Sequence, residues 1–249
     1  MVLESARGWT NGAFQQAPPA RTIFSAEGKE MEKLRILIAD DSQFMRTAYE
    51  RILATQDNFE IVGMAEDGQD ALEQALRLVP DVAILDIRMP KIDGIEVARR
   101  ILEEHPDTGI VVISAFDDLA FVTEIMKDSP EHKAYILKTS LDDIGEFLRV
   151  LEAVAEGHTV IDPSIVEKLL SRYNRRSASG NGALTKIELG VLELMVEGYD
   201  DPGMAQSLNL SQDCIHSLTD SICEKLGLEN TGERPRGAMA VQALVKSAV

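Results

Sequence analysis

Five times in succession, a short unbroken apolar run is followed by a segment with helical spacing. The runs are 36–39, 61–64, 82–85, 110–113 and 134–137. Segments 42–56, 68–78, 94–105, 118–127 and 141–156 carry the helical periodicity, and Pro80 and Pro106 stop two of them. Continuous rather than alternating apolar runs mark strands buried on both faces, and strands joined through helices run parallel. The pattern predicts an α/β domain, doubly wound around a five-stranded parallel sheet. Such sheets bind ligands at the carboxyl ends of their strands.

Those strand ends carry chemistry. Asp40 and Asp41 follow the first run, Asp86 the third, Ser114 the fourth and Lys138 the fifth. One acid at a strand end is an ordinary solvated loop residue. Three carboxylates, a hydroxyl and an ammonium at four ends of one sheet edge are a set. Clustered carboxylates repel one another, and a hard divalent cation such as Mg²⁺ relieves this through oxygen ligands. A carboxylate can also attack phosphorus to form an aspartyl phosphate. Lys138 and Ser114 would then hold the phosphate oxygens.

The chain changes character after residue 157. Residues 163–172 read as a short helix, and Arg175 to Gly182 as a polar, flexible linker. Segments 184–197, 203–208 and 211–226 read as helices with tight turns, and 238–249 as a final amphipathic one. The predicted organisation is a flexible tail over 1–32, an α/β domain over 33–157, a linker with a short helix over 158–182 and a small all-α domain over 183–249. A chain of 249 residues suits two domains. Its net charge of −17 argues against a polybasic membrane anchor or a non-specific nucleic-acid coat. The sequence contains no apolar run long enough for a membrane span, and the first 30 residues lack a secretory apolar core. Cys214 and Cys223 lack CxxC spacing, which excludes a disulfide framework and predicts a reducing cytoplasm. They lie nine apart on one helix and cannot share a metal, and His105, His132, His158 and His216 form no ligand cluster.

Ile38-Ala39-Asp40-Asp41, the stretch Leu85-Asp86-Ile87-Arg88-Met89-Pro90-Lys91-Ile92-Asp93-Gly94, Ile113-Ser114-Ala115 and Tyr135-Ile136-Leu137-Lys138 resemble the receiver domain of bacterial two-component response regulators over residues 34–157. The resemblance implies that Asp86 accepts phosphate from a sensor histidine kinase. It implies Mg²⁺ held by Asp40, Asp41, Asp86 and the backbone carbonyl of Arg88. It implies Ser114 and Tyr135 as the switch pair, with Lys138 on the phosphate. In the physical account of the switch, Ser114 moves to the phosphate and Tyr135 fills the space it leaves. Two departures stand out. Thr139 follows Lys138 in place of the commoner proline. The loop Lys127-Asp128-Ser129-Pro130-Glu131-His132-Lys133 is about two residues longer than the family's and lacks its glycine.

Residues 157–228 resemble the linker and helix-turn-helix domain of LuxR-type (NarL/FixJ) regulators, through Gly157-His158-Thr159-Val160-Ile161-Asp162-Pro163, Leu184-Thr185, Glu188, Val191-Leu192, Glu197-Gly198, Leu210-Ser211, Ile215, Ile222 and Lys225-Leu226-Gly227. Thr185 with Glu188 forms a capping box, and Ser211 would cap the recognition helix. The resemblance implies a phosphorylation-controlled homodimer that binds DNA, a regulator rather than an enzyme. The candidate DNA contacts are His216, Ser217 and Lys225, with Arg234 and Arg236 on an insertion over 229–237. Charge points elsewhere. The recognition helix has a net charge of −2, and residues 181–249 hold ten acids against five bases. Duplex DNA carries about one negative charge per 1.7 Å of axis, so binding needs cations. A protein partner for an acidic C-terminal domain is therefore the competing reading; a bare phosphate-sink module would leave that domain unexplained.

Overall fold

The computed structural model describes residues 33–141, 143–177, 184–196, 199, 201–228 and 236–248. The expected tail over 1–32, residues 178–182 of the expected linker and Arg234 lie outside them.

Strands β1 (Leu34–Ala39), β2 (Phe59–Ala65), β3 (Val82–Asp86), β4 (Gly109–Ser114) and β5 (Lys133–Leu137) alternate with helices α1 (Gln43–Leu53), α2 (Gly68–Leu78), α3 (Gly94–Glu104), α4 (Leu119–Met126) and α5 (Ile144–Ala155). Each helix begins where a short polar side chain takes over an orphan backbone amide. Ser42, Asp67, Asp93, Asp118 and Asp143 cap α1 to α5 in turn, each contributing about 1 kcal/mol. Part of the chain's acidity is thus spent on helix starts. Alternate strand residues face opposite layers. Leu37, Ala83, Leu85, Ile110 and Val112 pack in one core, and Ile36, Ile38, Ile84, Val111 and Ile113 in the other, with Tyr49 and Phe147.

The sheet has six strands, not five, in the order β2-β1-β3-β4-β5-β6, and every pairing is parallel. The sixth, β6 (Thr159–Ile161), pairs Lys133 with Thr159 and Tyr135 with Ile161. Three residues are too short to give a periodic signal; neighbouring β5 makes them a strand. Asp162 then anchors the chain, accepting from Leu137 N and from the amide and hydroxyl of Ser164.

Helix α6 (Pro163–Ser177) runs past the expected end at Arg172 and takes in Arg175, which was expected in the flexible linker. Tyr173 is buried on it, so packing rather than local composition extends it. Then come α7 (Lys186–Val196), α8 (Asp201–Leu208), α9 (Gln212–Leu226) and α10 (Arg236–Ala248). Arg236, expected on a loop arm, opens α10. Helix α10 packs against α4, α6 and α7, and Gln242 Nε2 donates to the Asp128 carbonyl at 3.1 Å. One apolar cluster runs from Val122 and Met126 through Ile165 and Val191 to Val241 and Leu244. The long α4–β5 loop closes with His132 in the left-handed region at φ 58°. That conformation costs a non-glycine residue of order 1 kcal/mol.

Candidate functional site

The carboxyl ends of β1, β3 and β5 meet around one ammonium. Lys138 Nζ lies 2.7 Å from Asp86 Oδ1 and 2.8 Å from Asp40 Oδ2. Both carboxylates are buried, while Asp41 is exposed. Asp86 Oδ2 accepts from Arg88 N at 2.8 Å, and Asp40 Oδ1 from Ser42 N at 2.9 Å. Burial lifts the Asp86 carboxyl above its ordinary range, although Lys138 pulls the other way. Burial would lower the Lys138 ammonium, but its hydrogen bonds to Asp40 and Asp86 carry it above its ordinary value. Lys138 is therefore a fixed cation. The turn after β3 approaches too closely for a side chain at Gly94, whose Cβ would stand 2.0 Å from the Asp86 carbonyl oxygen.

The donor set suits a hard cation in its chemistry: three carboxylates against one ammonium leave a net charge of −2. The ligands are not drawn together in advance. Among the described residues, no group of three or more acidic, histidine or cysteine side chains is arranged to hold a metal.

At the end of β4, Ser114 Oγ accepts from Phe116 N at 2.9 Å, and Tyr135 Oη donates to the Phe116 carbonyl at 2.7 Å. Tyr135 is fully buried, and burial pushes its hydroxyl up to about 12. Both switch candidates thus hold the same loop residue. The Arg88 guanidinium sits 4.0 Å from the centre of the Phe116 ring, a cation–π contact. One residue on, Asp117 pairs with Lys168 of α6. The loop after Ser114 is therefore tethered to the C-terminal elements.

The C-terminal candidates do not converge. His216 Nδ1 lies 3.1 Å from Asp201 Oδ2, and Ser217 Oγ donates back to the Asp213 carbonyl. Lys225 Nζ lies 2.7 Å from each oxygen of Glu188, inside the bundle. Thr185 and Glu188 form the expected capping box, and Ser221 Oγ donates to Glu188. Ser211 caps α9 through Cys214 N. The exposed side of α9 presents Asp213, Asp220 and Glu224. Cys223 is buried and Cys214 partly buried, both as free thiols.

Residues 36–149 match the response regulator receiver domain family. The chain is 31% identical over 215 residues to the transcriptional regulatory protein DegU of Brevibacillus brevis, covering 80% of this chain and 89% of that protein. It is also 31% identical over 208 residues to the oxygen regulatory protein NreC of Staphylococcus carnosus (strain TM300), with 80% and 94% covered. The chain is a response regulator of the LuxR type. Among solved structures, the RcsB response regulator of Salmonella typhimurium aligns over 80% of this chain and 95% of its own, at 26% identity and a TM-score of 0.49. No described helix of this response regulator is long and apolar enough to cross a membrane.

Several residues at the regulator's site gave no sequence signal. Arg46 Nη1 donates to the carbonyls of Asp40 and Asp41, bracing the acidic turn from α1. The buried Tyr49 hydroxyl has no hydrogen-bond partner among the described residues, and burial beside Asp40 and Asp86 pushes it upward. An arginine and a tyrosine on a helix look the same whether or not they face a site.

Glu146 of α5 is another buried acid. Its Oε1 has no hydrogen-bond partner among the described residues, and burial pushes its carboxyl up to about 7. The folded state therefore prefers the neutral acid, while the unfolded chain ionises from about 4.5. Stability from this group is present below about pH 4.5 and is lost as pH rises towards 7. Glu146→Gln should raise stability at pH 8 by roughly 1–3 kcal/mol and leave it nearly unchanged at pH 4. Urea unfolding at the two pH values checks this; an equal effect at both would refute it.

Proposed function

We propose that Asp86 accepts a phosphoryl group from a sensor histidine kinase in the cytoplasm, and that the resulting switch controls transcription through the C-terminal helices. The carrying observation is Lys138 bridging buried Asp40 and Asp86 at one sheet edge. A carboxylate oxygen of Asp86 attacks phosphorus. The bond from phosphorus to the kinase imidazole breaks, and the nitrogen keeps the electron pair. Mg²⁺ at Asp40, Asp41, Asp86 and the Arg88 carbonyl would supply charge neutralisation for the incoming group. Lys138 holds one phosphate oxygen. Ser114 takes another, and in turning towards it releases the Phe116 amide. The loop bearing Phe116 and Asp117 then moves, and with it the Lys168 tether to α6.

In this reading the receiver spans 33–157 and the helix-turn-helix unit 183–249, with 158–182 as the coupling segment. A homodimer would pair two such units over adjacent half-sites. His216 and Ser217, exposed on α9, would be the groups that meet a base edge. The acidic outer side of α9 favours a second reading, in which the C-terminal helices bind a protein instead. Selection from a fragmented-genome duplex library, with and without a phosphate mimic on Asp86, separates the two. Enrichment of a two-fold symmetric site, stronger with the mimic, supports transcription control. No enrichment from protein that takes up phosphate supports the protein partner.

A further inference from the structure

The described cations of this acidic chain are mostly committed. Arg46, Lys91, Arg99, Arg100, Lys127 and Lys225 each pair with a carboxylate. Helix α6 is different. It carries Lys168, Arg172, Arg175 and Arg176 against the single acid Glu167, a net charge of +3 in a chain of −17. Lys168, Arg172 and Arg175 are spaced four and three apart and so share one side of the helix. With Leu119, Glu167 and Ser171 they line an open cleft of about 650 Å³. Arg172 and Arg175 are exposed, and neither meets a carboxylate among the described residues. Lys168 is held by Asp117.

We propose that this side of α6 docks on the phosphate backbone of duplex DNA. The inference rests on the transcription reading above and names the surface that meets the phosphates. Charge complementarity decides for DNA. Helix α9, where the family resemblance puts readout, has a net charge of −2, and its one base is sequestered by Glu188. Neutralising phosphates is what drives duplex binding, and α6 supplies three cations clustered on one side, two of them without a carboxylate partner among the described residues. From Lys168 to Arg175 the helix rises about 10 Å, and a duplex of that axial length carries about six phosphates. The Ser171 hydroxyl adds a donor. The helix lies beside the helix-turn-helix unit: Tyr173, on its buried side, donates its Oη to the Lys225 carbonyl at the end of α9. Lys168 is then shared between the phosphates and Asp117, which links DNA binding to the loop that follows Ser114.

The test uses the full chain and a labelled mixed-sequence duplex, with affinity measured against salt concentration. Arg172→Ala with Arg175→Ala should weaken binding roughly 10- to 100-fold near 0.1 M salt and flatten the log–log salt slope by about 2. The corresponding lysine pair should restore both, since the contact is one of charge. His216→Ala with Ser217→Ala should leave the slope unchanged. Phosphate uptake at Asp86 and the thermal midpoint should match wild type, showing an intact fold; Arg172→Gln and Arg175→Gln singly, each flattening the slope by about 1, provide a milder version. An unchanged slope in the alanine pair, with wild type binding duplex, overturns the inference and leaves the transcription reading standing. Wild-type protein that binds no duplex, with or without the phosphate mimic, overturns both.

Discussion

Asp86→Asn abolishes phosphorylation by acetyl phosphate. The amide lacks the ionised oxygen that attacks phosphorus, and no second buried carboxylate takes its position. Among the described residues Asp40 is the only other one touching Lys138, and its two oxygens are occupied by Ser42 N and Lys138. The fold survives the change. An asparagine oxygen still accepts from Arg88 N or Lys138, and one of the two carboxylate charges that face Lys138 is removed. Phosphate-affinity electrophoresis checks the uptake, and a melting curve no lower than wild type checks the fold. A band that persists at full intensity would place the acceptor elsewhere.

Lys225→Met destabilises the C-terminal bundle by about 3–5 kcal/mol, because it leaves the buried Glu188 carboxylate without its cation. Burial alone would raise Glu188, yet hydrogen bonds from Lys225, Ser221 and Thr185 pull it down to about 2. Its unfolded value is near 4.5. The folded state therefore binds its proton less readily than the unfolded chain. The stabilisation, about 3 kcal/mol, is present above about pH 4.5 and is lost as pH falls towards 2. Replacing both partners, Glu188→Leu with Lys225→Met, recovers most of the loss at pH 7 and flattens the acid limb. Denaturant unfolding at pH 7 and pH 3 reads both effects. A single variant within 0.5 kcal/mol of wild type would contradict the buried pair and return Lys225 to the pool of free cations.

The receiver was legible because its determinants are local. Each central strand is a run of consecutive apolar residues, and Asp40, Asp86, Ser114 and Lys138 each directly follow such a run. Topology alone then brings Asp40, Asp86, Ser114 and Lys138 to one edge. The capping serines and aspartates were legible in the same way, as at Ser211 and Thr185. The misreadings have the opposite character. Strand β6 exists because β5 offers an open edge to Thr159–Ile161, and three residues carry no period. Helix α6 continues past Arg172 because Tyr173 is buried, while the local Arg-Arg-Ser-Ala-Ser composition argues for a loop. The insertion before α10 drew attention to Arg234 and Arg236, whereas Arg172 and Arg175, two described cations clustered on one side without a carboxylate partner, stand on α6.

Composition and order determined that this chain builds a parallel α/β receiver with an acidic edge at its strand ends, followed by helices of low positive charge. Hydrophobic period, strand-end residues and net charge are properties of neighbouring or summed residues, and a sequence displays them directly. Tertiary structure decided which charges are spent. Lys225 looks like a DNA contact until Glu188, 37 residues away, meets it. Lys168 looks like linker surface until Asp117, 51 residues away, ties it to the switch loop. The value of a charge depends on what faces it and how much water remains between them, and both are set only when distant segments pack.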